Sequence, residues 1–148
     1  MSNNPVLFSW PVRVYYDSTD AGGVVYHTNY IKFMEQARTE FLRRMGVELG
    51  LLEQQERVLF AIRSVAVDFR APARLDDLLE ITVDIKEARA ASLTFRQSVR
   101  LGERVLCDGE VRVASLSVDG FKPTAIPPKL QELLDRVISE GSLDGVSF

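Results

Sequence analysis

The segment that decides the fold is residues 15–30, which read Tyr15-Tyr16-Asp17-Ser18-Thr19-Asp20-Ala21-Gly22-Gly23-Val24-Val25-Tyr26-His27-Thr28-Asn29-Tyr30. Apolar and polar residues alternate before this segment and recur at helical spacing after it, which predicts a turn between a strand and a helix. The segment holds two carboxylates, a Gly-Gly pair and the single histidine of the chain. A simple turn does not need so many different polar groups, so we treat this segment as the candidate site.

The composition limits the class of protein. The chain has 148 residues, of which 46% are hydrophobic and 26% charged, as expected for one globular domain with a real core. A formal net charge of −3 argues against non-specific nucleic-acid binding, because that needs clustered Lys and Arg. With only Cys107 and His27 available as soft ligands, neither a disulfide within the chain nor a zinc site is expected, and we predict no metal and no cofactor.

The location is predicted from what the sequence lacks. The N-terminal residues 1–5 have neither the basic start nor the apolar run of a signal peptide. No apolar run approaches the roughly 20 residues of a membrane span. We therefore expect a cytoplasmic protein without a membrane span.

Hydrophobic periodicity predicts the order of elements. Alternation over Phe8–Tyr16 predicts a strand, and apolar residues from Tyr30 to Met45 predict a long amphipathic helix over 28–45. Thr28 or Asn29 is its expected N-cap, and Gly46 its expected C-cap. The further predicted elements are a helical turn at 47–55, strands at 65–69, 80–86, 92–101 and 105–118 with a bulge at Gly109, and a terminal helix at 130–138.

Short connections between the later strands predict an antiparallel sheet, and each strand has one apolar and one polar face. The long helix is the natural cover for the apolar face, so we predict an α+β fold with a central helix held in a curved sheet. One domain is expected over residues 1–148, with 139–148 as a flexible tail.

The chemistry of the segment follows from its carboxylate and from the start of the helix. Asp20 adjoins Gly22-Gly23, where the backbone can bend and a ligand can approach closely. No acidic residue lies between His27 and Lys32, so the positive end of the helix is free for an anion such as the oxyanion of an attacked carbonyl. A nearby carboxylate can act as a general base or a nucleophile.

Structural roles for the same residues stay open at this point. Asp17 and Asp20 are also typical turn-forming residues, whose side chains bond nearby N–H groups. A single histidine at the start of a helix, such as His27, is more often a cap or a packed surface ring than a catalyst. Tyr16, Tyr26 and Tyr30 are more often core aromatics with satisfied hydroxyls than catalytic groups.

The sequence resembles a known family along most of its length. The run from Val12 to Tyr30, with its Asp-Ala-Gly-Gly-Val-Val-Tyr-His core, is similar to the signature of the hotdog-fold acyl-CoA thioesterases. More narrowly, it resembles the bacterial Tol–Pal-associated branch, related to 4-hydroxybenzoyl-CoA thioesterase. Residues 71–77, which read Ala-Pro-Ala-Arg-Leu-Asp-Asp, fit the family's segment before its third strand. The resemblance covers residues 8–128.

This resemblance implies a function and a set of site residues. It implies hydrolysis of the thioester of a short-chain or small acyl-CoA, with the catalytic carboxylate at Asp20 and accessory groups at His27 and Tyr16. A backbone N–H near His27 would polarise the thioester carbonyl. Homodimers formed by edge-to-edge sheet pairing, often joined into homotetramers, would carry the active sites at the dimer interface. We expect the substrate-binding residues to be Gly22, Gly23, Val25, Tyr26 and Arg89.

One departure from the family concerns the substrate's nucleotide. The hydroxybenzoyl-CoA relative has a run of basic residues in the turn between the third and fourth strands, and here only Arg89 remains of it. Acyl carrier protein, which bears the same phosphopantetheine arm, is therefore an alternative form of the substrate. Two other classes stay open, namely an enoyl thioester hydratase on the same fold and a non-catalytic adaptor for acyl carrier protein or an envelope complex.

Overall fold

The computed structural model describes residues 6–147, and the prediction for residues 1–5 lies outside this range. A first strand and a short 3-10 turn at Tyr16–Ser18 precede the long helix. The helices and strands are β1 (Phe8–Arg13), α1 (His27–Arg44), α2 (Leu49–Glu56), β2 (Val58–Phe69), β3 (Leu78–Ala88), β4 (Ser92–Leu101), β5 (Arg104–Ser117) and α3 (Pro128–Glu140).

The strands form one five-stranded antiparallel sheet in the order β1-β3-β4-β5-β2. The helix α1 packs on β1, β3 and β4, and the core lies between them. The buried residues of α1 recur at helical spacing and face the sheet; they are Tyr30, Phe33, Met34, Ala37, Arg38, Phe41 and Leu42. The predicted α+β class with a central helix on an antiparallel sheet is confirmed.

The ends of α1 differ in how well the sequence predicts them. The helix ends as expected, because Gly46 has φ +89° and its N–H donates to Arg43 O, while the N–H of Val47 donates to Leu42 O. This pair of bonds satisfies the last free carbonyls of a helix that stops at a left-handed glycine. The predicted N-cap is wrong. The cap position is Tyr26, which makes no side-chain capping bond, and Thr28 and Asn29 lie inside the first turn.

Three strand predictions also need correction. The strand β1 ends at Arg13 rather than at Tyr16, because Tyr16 already belongs to the 3-10 turn. The strand β2 begins at Val58 rather than at residue 65. The sequence pattern misses residues 58–64 because a register shift between Ile62 and Ser64 interrupts the alternation of the strand. The predicted bulge at Gly109 is wrong, since Gly109 pairs in register with Val67. Glycine is needed there for close packing instead, because a Cβ would lie 2.2 Å from the carbonyl oxygen of Ala66.

The C-terminal segment packs on the core. The helix α3 extends to Glu140, and Gly141 follows it in a left-handed conformation with φ +66°. Leu143 and Val146 are buried against the core cluster. The described part of residues 139–148 therefore has packed anchor residues, which the prediction of a flexible tail does not anticipate.

Candidate active site

The candidate site begins with a tight hairpin at Asp20–Val24. The N–H of Asp20 donates to Val24 O at 2.9 Å, and the N–H of Gly23 donates to Asp20 O at 3.0 Å. Gly23 has φ +77°, in the left-handed region that glycine enters without steric cost. An isolated antiparallel bridge between Thr19 and Val25 closes the hairpin. The two glycines therefore serve the turn that holds Asp20 at its corner.

The Asp20 carboxylate is exposed, and only one of its oxygens is used locally. Oδ1 accepts a hydrogen bond from the N–H of Gly22 at 2.9 Å. Within residues 6–147 the carboxylate forms no ion pair and Oδ2 accepts no hydrogen bond. The turn-forming role and a chemical role are thus compatible, because one oxygen fixes the side chain and the other stays available.

The hairpin is tied directly to the start of α1 through the Ser18 carbonyl. This oxygen accepts the N–H of Tyr26 at 3.1 Å and the side-chain Nδ2 of Asn29 at 2.9 Å. Among the described residues, the N–H groups of His27 and Thr28 find no acceptor, and the first turn contains no acidic residue. Free N–H donors and the positive end of the helix therefore lie beside the Asp20 hairpin.

The imidazole of His27 lies between two aromatic rings. Its centroid is 4.5 Å from the ring centroid of Tyr26 and 6.1 Å from that of Phe69, which it meets at 83°. Phe69 is the last residue of β2 and also contacts Tyr30, at 5.6 Å between centroids. Sequence reasoning missed Phe69 as a site residue. Its only sequence signal is an aromatic side chain just before Ala71-Pro72, the start of the second family motif.

The second family motif, residues 71–77, is hydrogen-bonded to the hairpin and to the start of α1. Val25 donates its N–H to Ala73 O at 2.9 Å, and the buried Tyr30 hydroxyl accepts the N–H of Ala73 at 2.8 Å. Burial raises the pKa of Tyr30, so its hydroxyl stays neutral and serves as a hydrogen-bond partner. Val24 and Arg74 form a further bridge. Residues 71–77 therefore hold the hairpin and the first turn of α1 in place.

Two predicted site residues are not drawn into this cluster. Tyr16 lies in the 3-10 turn and is 79% exposed, and its hydroxyl has no hydrogen-bond partner within the described part of the chain. Arg89 lies in the turn after β3 and pairs with Glu87 at 2.8 Å. The Asp20 hairpin is bonded to residues 73–74, which come just before Leu78 at the start of β3. The other end of β3, at Ala88, lies ten residues further, about 33 Å along the strand. Arg89 is therefore at the opposite end of the sheet from Asp20.

The rest of the described chain offers no metal site or reactive thiol that changes this description. Residues 6–147 contain no group of three or more His, Cys, Asp or Glu side chains placed to hold a metal ion. Burial raises the pKa of the Cys107 thiol to about 12, so this group is protonated and unreactive at neutral pH. None of the described helices is long and apolar enough to cross a membrane.

A family model described as the thioesterase-like superfamily matches residues 14–134, which include the whole hairpin, α1 and the sheet after β1. The chain belongs to this superfamily. The match spans both motifs of the site, namely the hairpin of Asp20 and residues 71–77. Among its thioesterase relatives, the acyl-CoA thioester hydrolase YbgC of Escherichia coli O6:H1 is 47% identical over 128 residues, covering 86% of this chain and 95% of that protein.

Further thioesterases agree with this assignment. The acyl-CoA thioesterase YbgC of Haemophilus influenzae is 39% identical, over 84% of this chain and 91% of that one. A probable thioesterase from Bartonella henselae has a TM-score of 0.77 at 34% identity, covering 81% and 98% of the two chains. The 1,4-dihydroxy-2-naphthoyl-CoA thioesterase Slr0204 of Synechocystis shows the same fold, with a TM-score of 0.80 at 21% identity over 86% and 95%.

These findings confirm the predicted hotdog fold and the predicted class of thioester hydrolase. They lend no support to the hydratase or to the non-catalytic adaptor. The narrower likeness to the Tol–Pal-associated branch stays a prediction, as do the individual roles of the site residues.

Proposed function

We propose that this thioesterase hydrolyses acyl-CoA, with Asp20 as general base or nucleophile. The observation that carries the proposal is the exposed Asp20 carboxylate, which has one oxygen free and is held on a hairpin bonded to the start of α1. A base and a set of oxyanion donors on adjoining elements are the two parts that attack on a carbonyl requires. The named relatives are acyl-CoA thioesterases, which supports the substrate class.

The geometry suggests the following reaction. Asp20 takes a proton from water while the water oxygen bonds to the thioester carbon, and the carbonyl oxygen becomes an oxyanion. The free N–H groups of His27 and Thr28 and the positive helix end stabilise that charge. When the intermediate collapses, the C–S bond breaks, the acid forms, and the thiolate takes the proton that Asp20 removed from water, which restores the carboxylate. The His27 imidazole, fixed between two rings, would position the acyl group or assist this protonation.

The other predicted site residues are proposed to contact or orient the substrate. Gly22 and Gly23 carry no side chains at the tip of the hairpin, and Val25, which is buried, and Tyr26, which is exposed, connect the hairpin to the helix. All four are proposed to contact the thioester arm. Tyr16, exposed beside the hairpin, would orient a group only once the substrate is bound. A short-chain acyl group is proposed, with acyl carrier protein as the alternative carrier. The cytoplasmic location stays a prediction.

The edge strand β2 supports the proposal of a dimer. Among the described strands it pairs only with β5, which leaves its other edge unpaired, and the exposed residues along it include Ile62 at 53% and Phe69 at 49% exposure. An open apolar edge of this length is a template for a second strand. Antiparallel pairing with a second copy would bring that copy's Arg89 turn to the end of the sheet that carries Asp20. The joining of two such dimers into a homotetramer stays a prediction.

Replacement of Asp20 tests the proposal. Asp20→Asn should lower kcat for acyl-CoA hydrolysis by about 10²- to 10⁴-fold, because the amide can neither accept the proton nor attack. Asp17→Asn is the matched control, since Asp17 is also an exposed carboxylate and lies three residues earlier, and it should retain activity. Near-normal thiol release by a folded Asp20→Asn variant would show that the proposed mechanism is wrong.

The choice between nucleophile and base needs a separate measurement. A single turnover in ¹⁸O-labelled water transfers label to the Asp20 carboxylate only if an anhydride forms and is then hydrolysed at the side chain. Thiol release measured across acyl chain lengths, with acyl carrier protein as a second carrier, defines the substrate range.

A further inference from the structure

The side chain of Asn29 joins the two halves of the candidate active site. Asn29 is the third residue of α1, and its Nδ2 donates to the carbonyl oxygen of Ser18 at 2.9 Å. Ser18 is two residues from Asp20 along the chain, and Asn29 is two residues from His27. This one hydrogen bond therefore connects the hairpin that carries the proposed base with the helical turn that carries the proposed oxyanion donors.

The helix itself does not need an asparagine at this position. Asn29 does not cap α1, since the cap position is Tyr26, and its own N–H already donates to the carbonyl oxygen of Tyr26 at 2.9 Å. Asparagine is a weaker helix former than alanine, because its amide competes for backbone hydrogen bonds. Alanine would therefore suit the helix better, which indicates that the side chain of Asn29 serves a contact outside the helix.

The carbonyl oxygen of Ser18 has a second donor, the N–H of Tyr26 at 3.1 Å. A carbonyl oxygen has two lone pairs and accepts both bonds. A hairpin held by Tyr26 alone can tilt about that single bond, whereas two donors that lie three residues apart also fix its orientation. Loss of the Asn29 amide would leave the Ser18 oxygen bonded, so it would loosen the hairpin without creating an unsatisfied acceptor.

The strand of the hairpin that carries Asp20 depends on this contact for its attachment to the helix. The bonds from residues 71–77 reach Val24 and Val25, which belong to the returning strand of the hairpin. Within residues 6–147, the outgoing strand is bonded to the start of α1 only through Ser18. A displacement of about 1 Å between reacting groups can lower a rate by 10²-fold, so the orientation of this strand matters for attack on a thioester.

We propose that Asn29 is a positioning residue for thioester hydrolysis, which acts through the Ser18 carbonyl to hold the Asp20 carboxylate in place relative to the first N–H groups of α1. The inference rests on the proposed function, in which Asp20 is the base or nucleophile and the helix start binds the oxyanion. It adds to that function a residue that makes no hydrogen bond with Asp20 itself.

Asn29→Ala tests the proposal, because it removes the amide and favours the helix. We expect kcat for acyl-CoA hydrolysis to fall about 10- to 100-fold with KM changed less than about threefold, since alignment is lost rather than binding. Tm should stay within about 3 °C of the wild type, because the better helix propensity of alanine offsets the lost hydrogen bond. Gln36→Ala is the matched control, since it removes an exposed amide seven residues further along α1 and should leave both kinetic constants unchanged.

A conservative replacement and a double variant distinguish positioning from a merely structural role. Asn29→Gln keeps an amide donor and should bring kcat back to within about fivefold of the wild type. In the Asp20→Asn background, Asn29→Ala should lower the residual rate by less than about twofold, because no base is left to align. A structural role would instead give losses that multiply in the double variant.

The outcomes also separate this inference from the proposed function. A normal kcat for folded Asn29→Ala beside an inactive Asp20→Asn would overturn the inference alone. Multiplied losses in the double variant, or a fall in Tm of more than about 10 °C in Asn29→Ala, would overturn it in favour of a structural role. Full activity of folded Asp20→Asn would refute the proposed role of Asp20 and this inference with it.

Discussion

Substitution of Gly109 by alanine is expected to destabilise the protein through a contact in the backbone of the sheet. The added Cβ would lie 2.2 Å from Ala66 O and 3.0 Å from both Cα and Cγ2 of Val67. An ordinary carbon–oxygen contact is about 3.3 Å, so β2 must move away from β5 by about 1 Å. Because the obstacle is backbone, no rotamer change relieves it.

The magnitude is the difference of two opposing effects. Overpacking of this kind costs about 1–3 kcal/mol, and the displaced strand also loses some ladder hydrogen-bond energy. Alanine gains about 0.4–1 kcal/mol by restricting the unfolded chain. We expect a net loss of about 1–3 kcal/mol in the free energy of unfolding. This loss corresponds to a fall in Tm of roughly 3–9 °C for a chain of this size.

Urea unfolding of Gly109→Ala and Gly50→Ala is the appropriate assay. Gly50 lies in α2, and a Cβ there meets nothing within 4 Å, so alanine should stabilise the protein by about 0.5–1 kcal/mol. The two variants should therefore shift the midpoint in opposite directions with little change in slope. A Gly109→Ala midpoint equal to or above that of the wild type would refute the reasoning from close packing.

Two further substitutions test the site hairpin and the pH dependence. In Gly22→Ala the Cβ would lie 3.3 Å from Asp20 Oδ1, so the carboxylate moves and kcat should fall about tenfold with stability nearly unchanged. Gly23→Ala, at φ +77°, should instead cost about 1–2 kcal/mol of stability in a denaturation assay, and equal behaviour of the two would contradict this division. Burial raises the pKa of Asp84, so the fold favours its neutral form, and the stability due to that group is lost as pH rises through its folded pKa. Asp84→Asn, which keeps an acceptor for the N–H of Leu7, should raise the free energy of unfolding at pH 7 by less than about 1 kcal/mol and flatten its dependence on pH in the acid range; a lower free energy of unfolding at pH 7 would disprove this.

The sequence predicts an element well where one face of it is buried. The helix α1 is foreseen almost to the residue, because its buried side chains follow a single helical stripe. The first half of β2 is not foreseen, because the strand lies at the sheet edge and the irregularity between Ile62 and Ser64 breaks its two-residue period. The buried Leu143 and Val146 are missed because two isolated apolar residues produce no period.

The candidate site divides in the same way. Asp20, the glycine turn and the unneutralised helix start are neighbours along the chain, so their proximity is predictable from the sequence. Phe69 is 42 residues from His27, and only the folding of β2 against the start of α1 brings their rings together. The prediction that Arg89 lies near Asp20 fails within a single chain, because the order and direction of the strands place the Arg89 turn at the far end of the sheet. Composition and residue spacing do not reveal that order or direction.

The position of β2 at the edge of the sheet also affects how the chain folds during synthesis. The single neighbour of β2 in the sheet is β5, whose last residue, Ser117, emerges from the ribosome 48 residues after Phe69. At about 5–20 residues per second, β2 waits roughly 2–10 s for its partner strand. During that time both of its edges are open, and Ile62, Val65 and Phe69 are exposed to other nascent chains. A pause in translation between β2 and β5 would therefore be expected to lower the yield of folded protein without any change in the final structure.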